Sequence, residues 1–97
     1  MSWDHLPSWI EPDRWLDADH AIQFRTLKGA TEPTGALFIH RDKRSPGHWC
    51  IGGFVWDSPT EPNWQLVSME PLHVEPSILC HSCGDHGFIR DGKWIPA

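Results

Sequence analysis

Residues 80–86 hold the densest chemistry in the chain. Cys80, His81, Ser82, Cys83 and Gly84 form a C-x-x-C step followed by glycine, and His86 comes three residues after the second cysteine. This spacing lets two thiolates reach one ion while the glycine frees the backbone to fold beneath the sulfurs. Cys80, Cys83 and His86 therefore read as three ligands of a structural zinc site. A closed tetrahedral site needs a fourth. Cys50 is the only other thiol and is the first candidate; His40, His48, His73 and His81 are the alternatives.

Two other chemistries compete for the same cysteines. A thioredoxin-like dithiol belongs at a helix N-terminus after a strand, and Gly84 and Gly87 give no helix there. Two buried, unligated cysteines are the plain alternative. A water in the fourth position would make the zinc catalytic, but no glutamate stands beside these ligands as a general base. The nearest, Glu75, precedes Pro76. A structural metal and no enzymatic activity is the resulting expectation. G-x-S-x-G, P-loop, H-E-x-x-H and dinucleotide fingerprints are all missing. The acid pairs Asp17/Asp19 and Asp85/Asp91 read as turn caps or solvated groups, and Arg41, Lys43 and Arg44 as a solvated loop.

The elements that must position these residues are short. All five glutamates, Glu11, Glu32, Glu61, Glu70 and Glu75, are followed by proline, which pushes the preceding residue out of the helical region. Nine prolines leave no long amphipathic helix. Ser8 to Glu11 has the form of a capping box and Pro12 suits a first turn, so one short helix is expected around Asp13 to Asp17. Strands are expected over 20–28, 36–40, 48–56 and 64–69, with a bulge or close backbone approach at Gly52 and Gly53. Asp91-Gly92 lies between the extended runs 87–90 and 93–95. That pair is a strong hairpin signal, because both central residues of a type I′ turn need positive φ.

The predicted class is mainly β, a small α+β fold: a short N-terminal helix, one compact antiparallel sheet, and a C-terminal zinc knuckle and hairpin. The 97 residues suit a single domain. It divides into a helical or irregular segment at 1–19, a β-rich core at 20–71 and a knuckle-hairpin unit at 72–97. So small a core needs a staple, and the metal would supply it.

Charge and composition bound the partners. Eight basic against thirteen acidic residues give a net charge of −5, which argues against a general phosphate-backbone binder. No stretch approaches the roughly 20 apolar residues of a bilayer span. Met1 to His5 carries neither a basic flank nor an apolar run, so cytosolic residence is expected. Seven tryptophans supply large rings, most of them expected in the core. Trp3, Trp9 and Trp15, set among acids, are the candidate partner-binding anchors.

The segments Leu72 to Cys80 and Cys83 to Trp94, with Trp64 upstream, resemble a group of small uncharacterised phage and prophage proteins. In that group a Pro-Ser-Ile/Val stretch precedes cysteine, then C-x-x-H, an aromatic-Ile strand, a glycine turn and a final strand. The resemblance covers about the last third of the chain. It implies a zinc-bound β-rich fold, a phage or prophage origin and metal ligands at Cys83 and His86, with no assigned activity. The chain departs from the pattern upstream, where relatives tend to place a second cysteine pair and only Cys50 is found here. The leading expectation is a non-catalytic zinc protein acting in the host cytoplasm, which binds and modulates a host protein. The alternative is a nucleic-acid-associated zinc knuckle or a small zinc hydrolase. Edge strands in so small a sheet also offer a pairing surface to a second copy.

Overall fold

Proline spacing and period-two patterning break the chain into eight strands: β1 (Arg14–Asp17), β2 (His20–Arg25), β3 (Gly35–Arg41), β4 (Trp49–Val55), β5 (Gln65–Met69), β6 (Leu72–Leu79), β7 (His86–Arg90) and β8 (Lys93–Pro96). The computed structural model describes residues 6, 8–45, 47–58 and 64–97. Among these there is no helix. The strands form two antiparallel four-stranded sheets, ordered β1-β2-β3-β4 and β5-β6-β7-β8, where one sheet was expected.

The helix expected around Asp13 to Asp17 is strand β1. Asp13 donates its N–H to the Ile22 carbonyl at 2.8 Å, and its carboxylate accepts the Phe24 N–H at 2.7 Å. Pairing with β2 thus satisfies groups that a lone turn of helix would leave to water. Leu16 points inward and Trp15 outward, the alternation of a strand.

Register sets the inner face. Ile22 pairs with Phe38 and Phe38 with Gly52; Phe24 pairs with Ala36 and Ala36 with Phe54. Leu16, Ile22, Phe38, Phe54 and Trp56 meet Leu72, Val74, Ile78, Ile89 and Trp94 from the second sheet in one apolar core. The outer face of the first sheet is partly covered by the N-terminal segment, where Leu6 and Ile10 pack with Ala21, Leu37, Ile39 and Trp49. The expected irregularity at Gly52 and Gly53 is not found. The β3–β4 ladder runs unbroken through both, and neither is approached closely.

The C-terminal hairpin forms as expected. Asp91 and Gly92 adopt φ of 55° and 71°, the left-handed pair of a type I′ turn. Gly87 is required for packing. A β-carbon there would lie 2.6 Å from both the Trp94 ring and the Ile95 carbonyl oxygen.

Candidate metal centre

One row of side chains crosses the end of the first sheet. Asp17 pairs with His20, His20 with His40, and His40 with Cys50. His40 stands two residues beyond Phe38 on the inward alternation of β3, so the strand that builds the core also delivers an imidazole to its rim. Cys80 and Cys83 arrive from the other sheet, in the turn joining β6 to β7. There the Cys80 N–H donates to the Asp85 carbonyl at 2.8 Å, the Gly84 N–H donates to the Cys80 carbonyl at 2.7 Å, and Gly84 takes a φ of +84°.

His40, Cys50, Cys80 and Cys83 converge so that their ligand atoms all lie within 4.8 Å of one another. Three sulfurs and one imidazole, two ligands from each sheet, can hold a metal ion. The three thiols face one another at hydrogen-bonding range. Burial, together with the charges of Cys80 and Cys83, pushes the Cys50 thiol up to about 12. For Cys83 burial works in the same upward direction, but hydrogen bonds from the backbone N–H groups of Lys43 and Asp85 and from the Cys80 and Cys50 side chains together bring the thiol below its ordinary value. Three neighbouring thiolates repel one another, and a cation that displaces their protons removes that conflict. Burial lowers His40, against the opposing pull of the Arg41 carbonyl and Asp85, and so favours the neutral ring that metal ligation uses.

The imidazole is held from behind. Its Nδ1 faces the Arg41 carbonyl at 3.2 Å and Asp85 Oδ2 at 3.3 Å, which leaves the Nε2 lone pair for an ion. Asp85 is 5% exposed and also meets His20 Nε2 at 2.5 Å, while His20 Nδ1 meets Asp17 at 2.7 Å. The His20 ring stacks on Trp94 at 4.4 Å. His20, His40 and Asp85 themselves converge as a second group of three. Their contacts have hydrogen-bond lengths, so the trio serves as outer support that orients His40.

No protein-family model, curated protein or solved structure matches this chain. The geometry alone carries the functional argument.

The structure brings together Cys50, Cys80 and Cys83 from the expected ligand set. His86 lies on β7 outside the convergent group, with its Nε2 at 2.9 Å from the Ser77 hydroxyl. The imidazole in the group is His40. Of the other histidines weighed, His73 contacts Glu75, and His48 contacts Ser45. Sequence reasoning missed Asp85 and His20 as supports, having read the acid as a turn residue. The signal for His40 was present: it continues the inward series Ala36, Phe38.

Trp9 and Trp15 are 65% and 52% exposed; Trp3 lies outside the described residues. Trp15 meets Trp49 edge to face at 6.2 Å, and the Arg41 guanidinium lies 4.7 Å over the Trp49 ring. Glu11, Asp13, Asp17 and Asp19 are exposed in the same N-terminal stretch. Arg41, expected in a solvated loop, instead ends β3, and its Nε donates to Asp19 at 2.8 Å. Among the described residues no helix is long and apolar enough to cross a membrane.

Proposed function

We propose that the chain is a non-catalytic binding protein whose two sheets are stapled by a zinc ion on His40, Cys50, Cys80 and Cys83. The convergence of these four side chains carries the reading. Three sulfurs and a nitrogen are a donor set suited to zinc, and four protein ligands close the tetrahedron, leaving no position for a substrate or an activated water. Purified protein is expected to hold about one equivalent of zinc. Cobalt exchanged into the site is expected to give the intense ultraviolet charge-transfer bands of thiolate ligation. Protein that folds and purifies without metal, and takes up none, overturns the reading.

The exposed rings of Trp9 and Trp15, set among carboxylates, support a role in docking a partner protein, because tryptophan anchors dominate interface energies. The resemblance implies a phage or prophage origin, and on that origin the proposed partner is a protein of the host, with the host cytoplasm as the site of action. The doubly substituted chain, Trp9→Ala with Trp15→Ala, is expected to keep its zinc and its melting temperature while losing co-purification with that partner. Retained capture by the double variant overturns the docking role.

A further inference from the structure

The inward series along β4 has a gap. Cys50, Gly52 and Phe54 are successive inward positions, opposite His40, Phe38 and Ala36. A β-carbon at Gly52 would meet nothing within 4 Å. Strand interiors ordinarily fill such a position, and an interior glycine often marks the approach of a ligand. Here the missing side chain opens onto a cleft of about 480 Å³ between β4 and the end of β6. That volume lies within the range of roughly 300–1,000 Å³ typical of small-molecule sites.

The lining has two characters. Phe38, Phe54 and Trp64 supply ring surface, with Phe54 and Trp64 set edge to face at 5.5 Å. Cys50, Cys80 and Asp42 supply the polar end, beside His40, His81 and Ser82. No lysine or arginine lines the cleft among the described residues. Three thiolates and a neutral imidazole on a divalent ion leave about one negative charge, to which Asp42 adds its own. Aromatic rings beside negative charge, Trp64 the most accessible of them, favour a cation with an apolar coat.

We propose that this cleft binds a small organic cation of the alkylated-ammonium class, its apolar body against the rings and its charge toward the thiolate end. The charge argument rests on the metal centre proposed above; the shape argument does not.

The test uses zinc-loaded protein and phenyltrimethylammonium, with the neutral isostere tert-butylbenzene and the anion benzoate as comparisons, read by calorimetry and tryptophan fluorescence. The cation is expected to bind about ten-fold or more tightly than either comparison. Gly52→Val fills the gap with a side chain suited to strands. It is expected to keep the zinc and a melting temperature at or above that of the parent, and to lose the cation. Equal affinity for cation and isostere, or binding unchanged by Gly52→Val, overturns the proposal. A folded protein that carries zinc but binds no cation overturns the cleft alone, whereas a protein that never takes up metal overturns the metal centre and the charge argument with it.

Discussion

Asp85 sits between two imidazoles at the edge of the core, and its carboxylate links the candidate ligand His40 to His20 and, through it, to surface Asp17. Such outer partners fix a ligand ring and raise its basicity. Asp85→Asn is therefore expected to lower zinc affinity by about 10–100-fold, measured by competition with a chromophoric chelator while the circular dichroism spectrum stays that of a β protein. Cys83→Ser has a harsher expectation. It removes a buried sulfur that accepts two backbone N–H groups and faces two other thiols, so the variant should unfold or melt far below the parent. An unchanged melting curve for Cys83→Ser would contradict a structural metal.

At the scale of elements, the second sheet depends on close packing and on one ion-pair link between strands. Gly87 backs directly onto Trp94, and Gly87→Ala forces the two strands apart, with an expected loss of about 1–3 kcal/mol in denaturant unfolding. Across the same sheet, Glu75 accepts from Arg90 Nε at 3.0 Å and meets His73 Nε2 at 2.5 Å. The Arg90 hydrogen bond first, and His73 second, hold its carboxyl below the usual glutamate range. A carboxyl with a lower value in the folded state adds stability above its unfolded value and loses it as pH falls through the folded one. The melting temperature is expected to fall on acidification below the ordinary glutamate range. In Glu75→Gln that acid limb should be shallower, and parallel curves for the two proteins would discard the link.

For the molecule as a whole, the candidate ligand cluster draws on β3 and β4 of one sheet and the β6–β7 turn of the other, at the rim of the core the sheets share. Small domains stapled by zinc commonly fold only when the ion is bound, because binding free energy of about 10–16 kcal/mol rivals their entire stability. Chelation is expected to abolish the cooperative melt, and added zinc to restore it. Survival of a sharp transition in excess chelator would show that the aromatic core suffices without the staple.

Much of this arrangement was legible in the linear chain. The strands expected over 20–28, 36–40, 48–56 and 64–69, from alternation or apolar runs between turn formers, form as 20–25, 35–41, 49–55 and 65–69, and the last hairpin follows from Asp91-Gly92, because these signals act between near neighbours. The C-x-x-C step likewise announced its two sulfurs, and the third thiol was short-listed because no other remained. Tertiary pairing decided the rest. Whether residues 13–17 coil or extend depends on the Ile22 carbonyl and the Phe24 N–H, which only β2 can present. Whether His40 or His86 joins the cysteines depends on cross-strand register: His40 lies directly opposite Cys50 on the inward face, whereas His86 pairs with Leu79 and leans toward Ser77. Local sequence sets torsion preferences over a few residues, but coordination and burial are set by which distant backbones share hydrogen bonds, and a shift of one residue in that register would turn each of these side chains to the opposite face.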